Sequence, residues 1–450
     1  MQGIDRKRRI PLHGQIVRPF RRRERGVTIL LVAVAMMALL AMAALAIDIV
    51  TLYVSEGEAQ RVADAAALAG AKVFVSSGFT SWQLGDPALS TTQNLVCNGS
   101  TGLADLQAQA VANHNVIAGT APTSVTTSCN FSPEPKNPQI SVTVQRTGLP
   151  SFFARIWGSQ ASSVTTKAKA EAYNPSGQTV PIGVSYVKPW LIPNCGPCAG
   201  GPDFFTTTTY DIANNGAFIG QASPPTSFTP TTPGSSPNPP APNPAPGQYH
   251  YYPINIPISP PAPVCPSPGA VSCGGGGAPG ADYHDNIACS GTFQFSCGQQ
   301  IGPSQSITVD TDPPGQVKTS PGTQCLIHAQ SNGLGSGQDI FNPGAPVTIT
   351  GGDNNPNTAL RNVASISRSD SVITVPVYDV IGGATEDLCP SGICSVTGTV
   401  VGFLQLGIES VDSAGDLNAV ILNAAGCNPT NSGTPVSGGG VSPIPVRLIQ

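Results

Sequence analysis

A run of 21 residues without a charge, Val27–Ile47, limits what this chain can become. Ten of the 21 are Leu, Ile or Val. As a helix rising about 1.5 Å per residue, the run is about 30 Å long, the thickness of one hydrocarbon core. It therefore predicts a transmembrane helix. The alternative is a cleaved secretory signal with Ala44-Leu45-Ala46 as its site, but the apolar part of such signals spans only about 7–15 residues.

Charge is distributed unevenly on the two sides of this run. Residues 1–25 contain nine basic and two acidic side chains, whereas the rest of the chain contains 12 basic and 23 acidic ones. Because basic flanks stay in the cytoplasm, this asymmetry predicts a single pass with the N-terminus cytoplasmic and the C-terminal region outside. Nucleic-acid-binding proteins carry their basic residues on a folded domain, so the sequence predicts no nucleic-acid partner.

Composition and cysteine placement favour an exported structural protein over an enzyme. Charged residues make up 10% of the chain, against roughly 25% in typical soluble domains. All 12 cysteines follow the apolar run, where disulfides persist. Their connectivity stays open at this point. Close spacing gives the candidate disulfide residues, which are Cys195 and Cys198, Cys265 and Cys273, Cys289 and Cys297, and Cys389 and Cys394.

An Ala-rich segment continues the helical pattern beyond the apolar run. Residues Thr51–Lys72 contain no proline, and small side chains recur at helical spacing. We interpret Ala63, Ala66 and Gly70 as a candidate helix-packing seam, because small residues permit close approach to another helix or to the chain's own domain. A plain membrane-proximal stalk is the alternative.

The rest of the chain predicts an α+β protein whose N-terminal transmembrane helix and Ala-rich extension precede a β-rich external region with long Pro/Gly-rich loops. Leu103–Val111 is a helix candidate, and Val/Ile/Thr-rich stretches in 304–450 predict a sandwich or irregular β domain. Residues 224–268 contain 17 prolines, so we predict neither β-sheet pairing nor a helix there. The segment would be a spacer or surface loop, or else a Pro-rich ligand.

The predicted regions are a cytoplasmic basic tail at 1–26, the transmembrane helix at 27–47, a helix and α+β region at 48–175, a Pro/Gly-rich irregular region with cysteines at 176–303, and a β-rich C-terminal region at 304–450.

Several short motifs match catalytic or metal-binding patterns of other proteins, but the residues around them do not fit such sites. Cys195-Gly196-Pro197-Cys198 is identical to the thioredoxin active-site motif, but Gly and Pro follow it where a helix should start, so we interpret it as structural. The five His are too scattered for a zinc site. Asp310 with Asp312, and Asp353, are weak calcium candidates that we interpret as plain turns. We therefore predict no catalytic residue, no metal and no cofactor.

The N-terminal segment also resembles a known family. The resemblance rests on Glu24-Arg25-Gly26, on an apolar run that ends with Leu45-Ala46-Ile47-Asp48, and on Leu52-Tyr53. It also rests on the stretch Gln60-Arg61-Val62-Ala63-Asp64-Ala65-Ala66-Ala67-Leu68-Ala69-Gly70-Ala71. This block is similar to the N-terminal segment of TadE/TadG-like proteins, which are associated with tight-adherence (Flp-type) pilus assembly. It covers about residues 23–72 and extends more loosely to 172. The resemblance makes 48–175 a TadG-like region.

Two departures from the family pattern shape the functional prediction. The fifth residue after Gly26 is Leu31, where pilins carry Glu, so processing at Gly26 and polymerisation as a pilin are not carried over. No Asp begins the D-x-S-x-S metal pattern found in some TadG-like proteins. The resemblance implies a non-catalytic accessory protein of the bacterial cytoplasmic membrane, whose seam packs against other Tad/Flp assembly proteins or minor pilins. A surface-anchored binding module or adhesin unrelated to pili is the alternative; the sequence does not give the oligomeric state.

Overall fold

A computed structural model gives the fold as two compact units of the chain. The first unit contains Met1–Val54 and Gly148–Ser162, and the second contains Ser55–Thr147 and Ser163–Gln450. The structure describes residues 25–82, 88–132, 136–149, 151, 153, 162–177, 182–194, 203–220, 226–231, 247–256, 281–289, 293–311, 319–329, 337–344, 346–366, 368–380, 386–430, 436–437 and 442–449.

The helices begin with α1, Arg25–Ser76, which contains both the apolar run and the Ala-rich segment. The others are α2 (Leu89–Val96), α3 (Leu103–His114), α4 (Ala281–Ala288) and α5 (Ser320–Leu326). The third residue of α3, Asp105, stabilises the start of this helix. Its carboxylate accepts a hydrogen bond from the backbone amide of the N-cap residue, Gly102. A single 3-10 turn, Phe79–Ser81, follows α1.

A four-stranded sheet packs beside the Ala-rich part of α1 in the second unit. Its strands are β1 (Ser124–Asn130), β2 (Gln139–Leu149), β3 (Ser162–Ala172) and β17 (Val446–Ile449), in that spatial order. Ile140, Val142 and Val144 alternate into the core from β2, as a half-buried strand requires. The last strand, β17, pairs antiparallel with β3, Val446 facing Ala172.

The largest sheet closes into a six-stranded ring in the order β7, β5, β13, β14, β15, β6 and back to β7. These strands are β5 (Trp190–Pro193), β6 (Thr226–Pro230), β7 (Gln248–Asn255), β13 (Val372–Asp379), β14 (Gly398–Val411) and β15 (Leu417–Gly426). One buried cluster draws residues from all six strands, so the ring encloses a packed core. Trp190, Tyr251 and Leu404 are among its members.

The shorter strands attach to this ring or form small sheets. β10 (Thr308–Val309) pairs with β7, and β9 (Gln300–Ile301) pairs with β14. β16 (Val436–Ser437), β4 (Ile182–Ser185) and β8 (Gln294–Ser296) form a three-stranded sheet, and β11 (Ile340–Asn342) pairs with β12 (Thr348–Thr350).

The predicted order of a long apolar helix followed by a β-rich region is confirmed, but the β architecture differs from the prediction. The expected sandwich or irregular domain is instead the closed ring, and three of its strands come from 176–303, the region predicted to be irregular. Strands β6 and β7 also lie inside 224–268. The two strands contain only two of the 17 prolines of this stretch, Pro230 in β6 and Pro253 in β7, so few backbone donors are missing from their ladders.

Candidate functional site

The first part of α1 presents an apolar surface. The large side chains from Val27 to Val50 are exposed. Among the described residues, α1 is the helix long and apolar enough to cross a membrane, judged by length and composition. Gly26 lies in its first turn and is exposed. Because an exposed apolar surface of this length is unfavourable in water, the geometry fits a lipid environment.

The Ala-rich part of α1 is buried in the core of the second unit. Ala63 and Ala66 have no exposed surface. A Cβ added at Gly70 would lie 2.7 Å from Ile140 Cδ1 and 3.2 Å from the Ala104 carbonyl oxygen. The small side chains therefore let α1 approach α3 and β2 closely.

The position of this seam corrects one part of the sequence interpretation. We expected Ala63, Ala66 and Gly70 to contact helices of other assembly proteins, but all three are buried in the chain's own core, and Ala104 of α3 and Ile140 of β2 lie against Gly70. The cause is sequence separation: the stripe shows that something packs closely on the helix, while the covering residues Ala104 and Ile140 lie in distant parts of the chain.

A buried polar network holds the end of α1 against the ring of strands. Asn423 of β15 has no exposed surface, and its Oδ1 accepts hydrogen bonds from Thr80 Oγ1 at 2.8 Å and from Ser81 Oγ at 3.1 Å. Its Nδ2 donates to the Val75 carbonyl oxygen and to Gln405 Oε1. Each polar group of this amide thus has a partner inside the core, as burial requires.

A second buried centre lies at the start of α3. The Asp105 side chain has no exposed surface. Its Oδ2 accepts hydrogen bonds from the backbone amides of Asn98 and Gly99, and its Oδ1 accepts one from Thr127 Oγ1 at 2.6 Å. Cys97 Sγ lies 3.1 Å from the same Oδ1 and is bonded to Cys129. Two cysteines and a carboxylate meet here, but the disulfide occupies both sulfurs, so the arrangement fixes a loop rather than a metal.

The other disulfides differ in part from the pairs that close spacing suggested. Cys389 bonds to Cys394. Cys297 bonds to Cys427 and not to Cys289, since folding brings β8 and β15 together across 130 residues of sequence. Cys289 and Cys325 are both disulfide-bonded and lie in one buried cluster. Cys195, Cys198, Cys265 and Cys273 lie outside the described residues.

The two weak calcium candidates lie in different environments. Asp310 is buried after β10, whereas Asp353 is exposed in a turn. Asp312 lies outside the described residues.

Sequence reasoning missed one buried cation. The Lys188 ammonium donates to the carbonyl oxygens of Ile287 and Cys289, both at 2.7 Å, and to that of Asn286 at 3.3 Å, at the C-terminal end of α4. Burial lowers the pKa of Lys188 to about 7, while the nearby Asp370 carboxylate raises it. Three carbonyl acceptors favour the charged form, because a neutral amine has only two hydrogens. A lone lysine between apolar residues gave no sequence signal for this role.

Glu386 makes the stability of the second unit depend on pH. Burial raises the pKa of Glu386 to about 8. A hydrogen bond with the Asp379 side chain and the negative charge of Asp379 raise this pKa further in the same direction. The folded state then holds this proton more tightly than the unfolded state, so the free energy of unfolding falls as pH rises from about 5 to about 8.

Glu386→Gln is therefore expected to flatten that fall. The measurement is denaturant unfolding of the full chain in detergent at pH values of about 5, 6, 7 and 8, the window over which the linkage acts. Glu56→Gln, which removes an exposed carboxylate from α1, serves as the control and should retain the slope of the unaltered chain. An identical pH slope in the Glu386 variant would contradict the assignment.

Comparison with known proteins bears on the first helix. Residues 26–73 match the family described as "Putative Flp pilus-assembly TadE/G-like". The TadE/TadG-like prediction is confirmed for this segment. The matched residues coincide with α1, from its apolar run through the buried Ala-rich seam. Neither a curated protein nor a solved structure matches the chain. The looser TadG-like resemblance through 172 stays a prediction.

Proposed function

We propose that this protein is a membrane-anchored, non-catalytic accessory protein of Flp-type (Tad) pilus assembly. The observation that carries the proposal is the TadE/G-like match over 26–73, which coincides with a helix whose first part is apolar and exposed. Val27–Ile47 crosses the cytoplasmic membrane once, and the partners are other Tad/Flp assembly proteins or minor pilins. Leu31, where pilins carry Glu, supports an anchored role over polymerisation into the shaft.

Because the seam is buried, the surface that contacts assembly partners is a different one. Because Ala63, Ala66 and Gly70 are covered by the chain itself, they contribute to function by holding the second unit together. Assembly partners then contact the lipid-facing part of α1 or exposed surfaces of the folded unit. Disulfides in the second unit support a location in the periplasm or outside the cell, where such bonds persist.

Deletion of the gene tests the role in pilus assembly. We expect surface pili to be lost or strongly reduced, and to return when the full chain is supplied again. The measurement is electron microscopy of surface pili together with immunoblotting of the pilin in sheared fractions. Normal piliation and attachment in the deletion strain would reject the pilus role and favour a surface-anchored binding module.

Topology is tested by fusing alkaline phosphatase after residue 175, which follows β3. The enzyme is active only outside the cytoplasm, so an active fusion is expected from the basic flank at residues 1–25. A fusion placed before Val27 is the control and should be inactive. Inactivity of the first fusion would reject the orientation, and release of the chain from membranes by carbonate would reject the anchor.

A further inference from the structure

One narrow face of α1 is covered at the outer end of the apolar run. Ala44 and Asp48 are 8% and 6% exposed, whereas Leu45 and Ile47 between them are 52% and 50% exposed. Ala44 and Asp48 are four residues apart and therefore lie on the same side of the helix. Burial confined to one side means that another segment lies against it.

Within the first unit, the connection between β2 and β3 contacts this face. The Phe153 backbone amide donates a hydrogen bond to Asp48 Oδ2 at 3.0 Å. Leu149 and Ser151, which precede it, are buried, and Phe153 itself is half-buried. The β2–β3 connection, at Ser151 and Phe153, thus lies beside the outer end of the membrane helix.

The depth of this contact follows from the helix rise. Asp48 is the first charged residue after the 21 uncharged ones, and the covered face continues to Ala44, about 6 Å further into the apolar run. A carboxylate at a membrane boundary is unfavourable without hydrogen-bond donors, and a backbone amide there is unfavourable without an acceptor. The bond between Asp48 and Phe153 satisfies both groups.

We propose that the described residues of the β2–β3 connection, Ser151 and Phe153, form a second membrane contact, with Phe153 in the headgroup–acyl boundary of the phospholipid bilayer. The inference rests on the proposed membrane anchor. In sequence, residues 148–162 contain two Phe, one Trp and a single charge, Arg155, and Trp and Phe are residues that enter the headgroup–acyl boundary. Asp48 is the positioning residue, and the partner is lipid.

Photo-crosslinking tests the proposal on the full chain in liposomes of phosphatidylethanolamine and phosphatidylglycerol. p-Benzoylphenylalanine replaces Phe153 in one variant, exposed Ile47 of the anchor in a second, and Ile393 of the second unit, 69% exposed, in a third. Mass spectrometry after irradiation should find phospholipid adducts at positions 153 and 47 and none at 393.

The outcomes separate this proposal from the anchor. Adducts at 47 without adducts at 153 overturn the membrane contact of the connection and leave the anchor standing. Absence of adducts at 47 overturns the anchor and this proposal together. Adducts at 393 as frequent as those at 153 overturn the proposal, because labelling is then unspecific.

A second pair of variants tests Asp48 as the positioning residue. Asp48→Leu removes the acceptor, so the adduct at 153 should fall about fivefold, the equivalent of one net hydrogen bond, while the adduct at 47 is unchanged. Asp48→Asn keeps an acceptor oxygen and should retain the adduct at 153. An unchanged adduct at 153 in the Leu variant overturns the role of Asp48.

Discussion

Removing the disulfide between Cys297 and Cys427 is expected to lower the free energy of unfolding by about 5 kcal/mol. The bond closes a loop of 130 residues, and the chain-entropy relation gives about 5 kcal/mol for a loop of this length. A loss of this size is a large part of the stability of a typical domain. We therefore expect a variant with both cysteines changed to Ala to be degraded in the cell or to unfold at low denaturant.

The bond between Cys389 and Cys394 provides the matched control. It spans only five residues, so the same relation gives about 2 kcal/mol for its removal. The measurement is the urea midpoint of each double variant in detergent, together with resistance to trypsin. Equal losses for the two pairs would contradict loop closure as the origin of the difference.

Gly70→Leu is expected to disrupt the packing of α1 in the second unit, at a cost of about 3 kcal/mol or more. A first side-chain carbon already meets Ile140 Cδ1 at 2.7 Å and the Ala104 carbonyl oxygen at 3.2 Å, so the larger leucine has no space without separating α1 from α3. Gly70→Ala is expected to be milder, because the Ile140 methyl group can rotate away and alanine favours the helix.

The neighbouring helix positions allow a controlled comparison. Ala66→Leu adds a large side chain at a fully buried site, whereas Ala65→Leu adds the same atoms at an exposed one. We expect protease resistance and cellular level to fall for Gly70→Leu and Ala66→Leu and to stay unchanged for Ala65→Leu. Normal stability of the Gly70 variant would show that the seam is not tightly packed.

The parts of the fold that sequence predicts are those set by local periodicity. An uncharged apolar run and a stripe of small side chains at helical spacing were enough to place α1, and Val/Ile-rich runs were enough to indicate β13, β14 and β15. The elements that cover the stripe could not be predicted, because no pattern in the sequence relates Ala104 or Ile140 to Gly70. Such contacts are fixed by tertiary packing.

Closure of the ring was hidden from the sequence for a different reason. It depends on β5 and β6, four and five residues long, and on a parallel pairing in which Ser227 faces Gln248. Short strands that contain proline give a weak signal, and parallel register leaves no hairpin turn in the sequence. The Lys188 contacts were equally hidden, since each of its acceptors is a backbone carbonyl group.

The return of β17 to pair with β3 has a consequence for the proposed export of the second unit. Val446 faces Ala172, and the ring itself requires Leu417 to reach Phe228. If the chain emerges across the membrane from its anchored end, the four-stranded sheet stays incomplete until Val446–Ile449 has emerged, long after β3. Folding of the second unit is therefore a late, non-local event, and partly exported chains will expose unpaired strand edges to proteases and chaperones.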